Sequence, residues 1–370
     1  MDFFERYTSN TYAGSSNQLI FGTDGKINVG RVFYKISVGG KYSYSILFSN
    51  TIDSTYADGR VSQKNLACKP WTLHGARVGR CSRLDESKDV WSLEMDKDIE
   101  IVDFVDLTFE GERTKNVKTA ELFCCDEFEY SFKKGDYLCL EITYSGDLMP
   151  YHEESLLPVY VKDEDGWKYS KKMPFAQMIG CDRQVEKRVA YLGDSITQGI
   201  GVPHNKYTFW NALVSEAWGE QNAYWNLGIG FGRANDGASD GVWLYKAKQN
   251  DIVVVCFGVN DICQGMSSEQ IKSDLLKIVE ALNEAGCKVI LQTIPPFDYD
   301  EEKRARWIEV NEYIKLTLSK RALLVFDVVP YLSKNEQEPQ MAKFGGHPNE
   351  EGSAVWARVL FEAIEKSGLK

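Results

Sequence analysis

Tyr191-Leu192-Gly193-Asp194-Ser195-Ile196-Thr197-Gln198-Gly199 is the stretch on which the fold turns. Before it, Arg188-Val189-Ala190-Tyr191-Leu192 reads as a short buried strand. After it, Gly199, Gly201 and Pro203 break the chain before a helical pattern begins near Thr208. Strand, tight turn and helix together lift one side chain out of a packed sheet to face a substrate. At that turn stands Ser195, whose hydroxyl is a weak nucleophile alone and a strong one beside a base. The same Gly-Asp-Ser turn also makes a plain helix cap, since Asp and Ser both satisfy orphan amides at helix starts. The surrounding chain has to separate the two readings.

Downstream, strands and helices alternate. Tyr224-Trp225-Asn226-Leu227 is a short strand, and residues 251–258 (Asp-Ile-Val-Val-Val-Cys-Phe-Gly) are apolar, β-branched and suited to full burial. Further strands are expected at 288–293 and 323–327. Between them, 268–285 carries Ile271, Leu275, Ile278, Val279 and Leu282 on one helical face and stops at Gly286. Continuous apolar strands alternating with helices predict a parallel sheet covered on both faces. Ligands in such sheets sit beyond the carboxyl ends of the strands.

Three further features fall at those ends: Asn226-Leu227-Gly228-Ile229-Gly230-Phe231-Gly232-Arg233, then Gly258-Val259-Asn260-Asp261, then Gly345-Gly346-His347-Pro348-Asn349 before a last helix. Acyl transfer needs a nucleophile, a base and donors for an oxyanion. Ser195, His347, an amide among the glycines and the Asn260 side chain supply that set. Taken singly, each has a plain alternative. Gly228-x-Gly230-x-Gly232 lacks the spacing of a dinucleotide turn, Asn-Asp is a common turn, and His-Pro is a common loop. Their common order at strand ends favours the chemical reading.

Upstream, residues 30–144 are period-two and rich in strand formers. Arg31-Val32-Phe33-Tyr34-Lys35-Ile36-Ser37-Val38 and Tyr42-Ser43-Tyr44-Ser45-Ile46-Leu47-Phe48 flank Gly39-Gly40, which predicts a hairpin. A second hairpin is predicted around Asp165-Gly166, between 159–162 and 167–169. More strands are expected at 99–109 and 137–144, and no long helix. The half is expected to be an all-β sandwich, jelly-roll-like, over residues 1–182, with an α/β domain over 183–370. His74 and His152 are expected to be packed or surface residues rather than bases.

Composition narrows the partners. Of 370 residues, 43% are hydrophobic and 26% charged, and the formal net charge is −11. No basic excess exists to hold nucleic acid or an anionic membrane. Met1-Asp2-Phe3-Phe4-Glu5-Arg6-Tyr7 does not read as a signal peptide, and no run of about eighteen apolar residues occurs. A cytoplasmic location is therefore expected, with the nine cysteines as reduced, mostly buried thiols. Cys and the four His never cluster at zinc spacing, so no metal and no cofactor is expected.

The blocks Gly193-Asp194-Ser195, Gly228–Gly232, Gly258-Val259-Asn260-Asp261 and His347-Pro348-Asn349 resemble those of the SGNH, or GDSL-type, hydrolases over roughly residues 187–370. The resemblance implies a flavodoxin-like three-layer α/β sandwich. It also implies Ser195 as nucleophile and His347 as base, with an oxyanion hole of the Ser195 amide, the Asn260 side chain and an amide at Gly230 or Gly232. Ile36-Ser37-Val38-Gly39-Gly40 and Leu47-Phe48-Ser49-Asn50 are similar to the β-domain that precedes the hydrolase domain in certain carbohydrate acetylesterases.

Two positions depart from the family pattern. The Asp usual three residues before the histidine is Phe344, so either a Ser195–His347 dyad works with a backbone carbonyl as orienter, or Asp327 or Glu338 reaches in. The family's spacing from Asn226 to the donor glycine lands on Phe231. The expectation is a serine ester hydrolase that removes short acyl groups, acetyl foremost, from a carbohydrate or related small ester. A lysophospholipase or arylesterase, an O-acetyltransferase and a catalytically inactive carbohydrate-binding protein are its competitors.

Overall fold

The computed structural model describes residues 3–54, 66–152, 156–175 and 177–369. Met1 and Asp2 of the N-terminal reading, Glu153 and Glu154 beside His152, and Lys370 lie outside the described residues. The chain forms two compact units: Met1–Ile52 with Leu66–Val185, and Asp53–Asn65 with Glu186–Lys370.

The first unit is built from antiparallel strands. They include β1 (Asn28–Lys35), β2 (Gly40–Ser49), β3 (Trp71–Leu84), β4 (Ile99–Asp106), β5 (Leu122–Cys124), β6 (Phe128–Phe132), β7 (Tyr137–Ser145), β8 (Val159–Asp163), β9 (Gly166–Tyr169) and β10 (Gln177–Cys181). One sheet runs β9-β8-β1-β7-β3-β4; the other centres on β2, with β10, β5 and β6 paired to it. Tyr34 of β1 donates its hydroxyl proton to Gln177 of β10, and Trp71 of β3 packs on Phe123 of β5, so the two sheets share a core. Its helices among the described residues are single turns, Phe3–Arg6 and Met95–Asp98, besides the 3-10 turn Val90–Ser92.

The hairpin predicted at Asp165-Gly166 forms, with Asp163 opposite Gly166. The one predicted at Gly39-Gly40 does not. β1 pairs with β7 and β8, whereas β2 pairs with β10, β5 and β6, so the chain crosses between sheets there. The amides that a hairpin would need are committed elsewhere: Ile36 donates to Asp136 at 2.8 Å and Ser37 to Asn10 at 3.1 Å. Alternation of side chains fixes which face a residue takes, but not which strand lies beside it.

The second unit has one sheet of β11 (Lys187–Gly193), β12 (Asn222–Gly228), β13 (Ile252–Cys256), β14 (Lys288–Gln292) and β15 (Leu324–Phe326). All pairs are parallel, in the order β12-β11-β13-β14-β15. That is the flavodoxin-like order, which places a topological switch point at the carboxyl ends of β11 and β13. β12 and β13 are buried along their whole lengths, which requires cover on both faces. The helices of this unit include α1 (Ser195–Gln198), α2 (Trp210–Trp218), α3 (Ala234–Gly237), α4 (Val242–Lys248), α5 (Val259–Cys263), α6 (Ser268–Glu284), α7 (Glu301–Leu316) and α8 (Glu350–Lys366), besides the single turn Val329–Leu332. Trp210 of α2 stacks on Trp356 of α8 with ring centroids 4.8 Å apart.

Asp53 and Ser54 belong to this unit although they lie far upstream in the chain. Asp53 pairs with Lys246 of α4 at 3.3 Å, the two side chains being 0% and 1% exposed. The Ser54 hydroxyl donates to Asp236 of α3 at 3.0 Å. Nothing in the sequence pattern marked this excursion.

Candidate active site

Ser195 opens α1 directly after β11. Asp194 caps that helix by accepting from the Ile196 amide at 3.0 Å, and Gly199 ends it in the left-handed region. The capping reading of the Gly-Asp-Ser turn is therefore realised on Asp194, and the Ser195 hydroxyl takes no part in the cap. The turn is braced from below. Trp210 Nε1 donates to the Ile196 carbonyl at 3.0 Å, and Asn211 Nδ2 donates to the Thr197 carbonyl. Asn226 Nδ2 donates to the Gln198 carbonyl at 3.2 Å, tying the end of β12 to α1. Gly228 makes that approach possible, because a Cβ there would strike the Gln198 backbone.

His347 lies two residues before Asn349, whose side chain caps α8 by accepting from Gly352 at 2.9 Å. Its loop rests on Gly201, where a Cβ would come within 2.6 Å of the Pro348 carbonyl oxygen. The ring meets Phe297 edge-on at 5.5 Å. In this position His347 Nε2 is 2.8 Å from Ser195 Oγ, so the structure joins the predicted nucleophile and base in one hydrogen bond. Both side chains are partly exposed, as a site that meets substrate requires.

Neither acid named as a possible third member is placed at this pair. Asp327 accepts from Thr293 Oγ1 at 3.0 Å and from the Val329 amide at 3.2 Å, and it pairs with Lys315 at 3.5 Å. Glu338 pairs with Lys334 at 2.8 Å. Phe344, in the position usual for Asp, packs against Gly352 of α8, where a Cβ would come within 2.6 Å of the Phe344 Cβ.

The predicted donors are resolved unevenly. Asn260, on α5, holds its side chain by donating from Nδ2 to the Gly232 carbonyl at 3.0 Å, and Nδ2 has a second proton. The Ser195 amide is the first of α1, where an amide has no intrahelical acceptor. The Gly232 amide, in contrast, closes a turn by donating to the Ile229 carbonyl at 3.2 Å. Within that turn Phe231 takes φ = 59°, and the residue is 37% exposed. Among the described residues the Phe231 amide has no acceptor. The open donor of the glycine block is thus at Phe231 rather than at Gly232. The cause is the turn: its closing bond takes the amide of the fourth residue, Gly232, and leaves that of the third, Phe231, outside it. The signal was available in the spacing from Asn226, but residue type does not reveal which amide a turn consumes.

Two buried carboxyls flank the site. Burial raises the Asp194 carboxyl to about 7; amide bonds from Ile196 and Thr197 oppose the shift, and the neighbouring Asp261 charge adds to it. Burial likewise raises Asp261 to about 7, against the bond that it accepts from the Ala234 amide. Arg233 is locked on Asp236 through two bonds of 3.0 and 2.8 Å, which fixes the segment after Gly232. Arg233 and Asp236 went unremarked in the sequence because their pairing is three residues apart on a short cap. Among the described residues no group of three or more His, Cys, Asp or Glu could hold a metal ion.

Residues 191–355 match the GDSL-like Lipase/Acylhydrolase family. No curated protein matches the chain. Among solved structures, the chain is similar to a member of the lipolytic protein G-D-S-L family from Veillonella parvula at 22% identity, over 48% of this chain and 98% of that one, with a TM-score of 0.39. It is similar to the acetyl xylan esterase AlAXEase at 22% identity, over 48% and 99%, with a TM-score of 0.39. It is also similar to the esterase EstA from Pseudoalteromonas sp. at 15% identity, over 50% and 99%, with a TM-score of 0.40.

Proposed function

With residues 191–355 a GDSL-like lipase/acylhydrolase domain, we propose that the chain hydrolyses short acyl esters, acetyl foremost, on a carbohydrate or related small alcohol. The observation that carries the reading is the 2.8 Å bond between Ser195 Oγ and His347 Nε2. Ser195 Oγ attacks the ester carbonyl carbon while His347 Nε2 takes the hydroxyl proton. The oxyanion is held by the Ser195 amide, the Phe231 amide and Asn260 Nδ2. Collapse breaks the bond to the alcohol oxygen, which leaves with the proton from His347. Water, deprotonated by the same imidazole, then releases the acid and restores Ser195.

No carboxylate is assigned to the histidine in this scheme. A neutral acceptor fixes an imidazole's tautomer as a carboxylate does, though it gives less support to the charge formed. The acetyl preference rests on the resemblance of the N-terminal half to the β-domain of carbohydrate acetylesterases.

Acetate release from 4-nitrophenyl acetate and from acetylated oligosaccharides tests the proposal, with nitrophenyl esters of increasing chain length alongside. Turnover that is greatest on the two-carbon to four-carbon acids supports it. A maximum at about eight carbons or beyond points to a large apolar acyl groove and overturns the acetyl reading. No turnover of any ester overturns the hydrolase reading.

A further inference from the structure

One face of the larger sheet in the first unit carries a cavity of about 260 Å³ that the ester chemistry does not use. It lies over β3 and β7 at an irregularity in their pairing. Thr143 is opposite Gly75, but the next residue, Tyr144, is opposite Leu73, so His74 is the extra residue of a bulge. Bulges re-aim a side chain and recur beside binding sites. Gly75 leaves the floor as bare backbone, since a Cβ there would meet nothing within 4 Å. A glycine inside a strand with open space above it marks a place where another molecule can approach closely.

Arg77 in the wall is held in one orientation. Its Nε donates to Glu141 at 2.7 Å, and its guanidinium lies 4.1 Å from the centroid of the Phe104 ring. Glu141 is held in turn from its far side by Arg31 Nε at 2.8 Å, and Arg31 lies 4.2 Å over Trp167. Arg31 and Glu141 are 15% and 12% exposed, whereas Arg77 is 41% exposed, so the covered pair supports the open member. Arg77 uses only Nε, and among the described residues its two terminal nitrogens have no acceptor. A guanidinium fixed by its Nε and one face presents a ready fork for a planar two-oxygen anion.

Further hydrogen-bonding groups stand around that fork. His74 spends Nε2 on Ser145 Oγ at 2.8 Å, which leaves Nδ1, and the Thr143 hydroxyl lines the same cavity. Arg113 pairs with Asp106 at 3.1 Å at the rim, both well exposed. Three guanidiniums (Arg31, Arg77, Arg113) against two carboxylates (Glu141, Asp106) leave one surplus positive charge. A monoanion balances it; a phosphate dianion would overshoot among two fixed carboxylates.

We propose that this cavity binds a carboxylate-bearing sugar of the uronic-acid class, its carboxylate on the Arg77 fork and its hydroxyls on His74 and Thr143. The site lies within the first unit alone, so it stands or falls independently of the ester chemistry.

Calorimetric titration of the full chain with glucuronate, galacturonate, xylose and inorganic phosphate tests it. A uronate is expected to bind at least about tenfold more tightly than xylose or phosphate, the equivalent of one good charged bond. Arg77→Lys, which keeps the charge and loses the fork, is expected to weaken uronate binding about tenfold. Gly75→Leu, whose Cβ would meet nothing within 4 Å and whose branches then occupy the floor, is expected to abolish it, with thermal unfolding as the control for fold. The absence of uronate binding, equal binding of xylose or phosphate, or full binding by both variants would each overturn the proposal.

Discussion

Ser195 Oγ and His347 Nε2 are 2.8 Å apart although 152 residues separate them in the chain. The contact depends on two helix ends: α1 begins at the serine, and α8 begins just after the histidine. Replacing either side chain with alanine is expected to lower kcat on 4-nitrophenyl acetate by at least about a thousandfold without loss of fold. Asp327→Asn is expected to stay within about threefold of wild type, its carboxylate being committed to Thr293, Val329 and Lys315. A collapse of Asp327→Asn activity in a folded protein would contradict the dyad.

Asn260 donates one Nδ2 proton to the Gly232 carbonyl and keeps one for an oxyanion. Asn260→Ala is therefore expected to reduce kcat by about 10²–10³ with little change in KM, the range for loss of one oxyanion donor. A change confined to KM would make Asn260 a substrate-binding residue instead.

Phe231 is the position at which backbone and side chain can be tested apart. Replacing only its amide by an ester linkage is expected to cost about 10² in kcat. Phe231→Gly keeps the amide and relieves a left-handed conformation that costs a bulky residue about 1–2 kcal/mol. It is expected to raise the thermal midpoint and to retain turnover of 4-nitrophenyl acetate. A lower midpoint would mean that the ring contributes more packing than the backbone loses in strain.

Asp194 predicts a pH-dependent gain. Its carboxyl is raised to about 7 in the fold, first by burial, from an ordinary value of 3.8. Below about pH 4 both folded and unfolded states are protonated. Between about 4 and 7 the unfolded chain ionises while the fold holds a neutral acid, so stability falls with rising pH by up to about 1.4 kcal/mol per unit. Asp194→Asn keeps an equivalent cap and should be near neutral at about pH 3.5 but stabilising by on the order of 1–3 kcal/mol at pH 7.5. Urea unfolding at the two pH values checks it, and an equal effect at both would show that the carboxyl does not titrate in this window.

The pair Lys246–Asp53 is completely enclosed. Lys246→Met alone is expected to cost about 3–5 kcal/mol by removing a counter-charge from a buried carboxylate, and Lys246→Met with Asp53→Leu to recover most of it. Denaturant midpoints of the two variants measure the difference. A double variant no better than the single would place the cost in packing rather than charge.

Much of the second unit was legible because its signals are local. Gly193-Asp194-Ser195 follows a buried strand, the apolar repeat from Ile271 to Leu282 forms α6, and Glu350–Lys366 forms α8 over the bounds that its cap and composition suggest. The first unit was legible only in type. Tyr42–Phe48 reads as strand from its own alternation, but its partners lie at Leu122–Cys124, Phe128–Phe132 and Gln177–Cys181, and no local pattern names them. Gly230, Phe231 and Gly232 show the same limit at the site. Their order restricts the turn, whereas the amide that remains free is decided by which carbonyl the turn reaches.

The enclosed pair at Asp53 and Lys246 also bears on how such a protein can be recombined. The link at Val185–Glu186 looks like a seam at which the front half of the chain could be exchanged for another. Any exchange there would remove Asp53 and take one counter-charge from the buried Lys246. A new front half would have to supply an acid at that point or be accompanied by loss of the lysine. The two halves are thus bound to a shared inheritance by Asp53 and Ser54 on one side and Lys246 and Asp236 on the other.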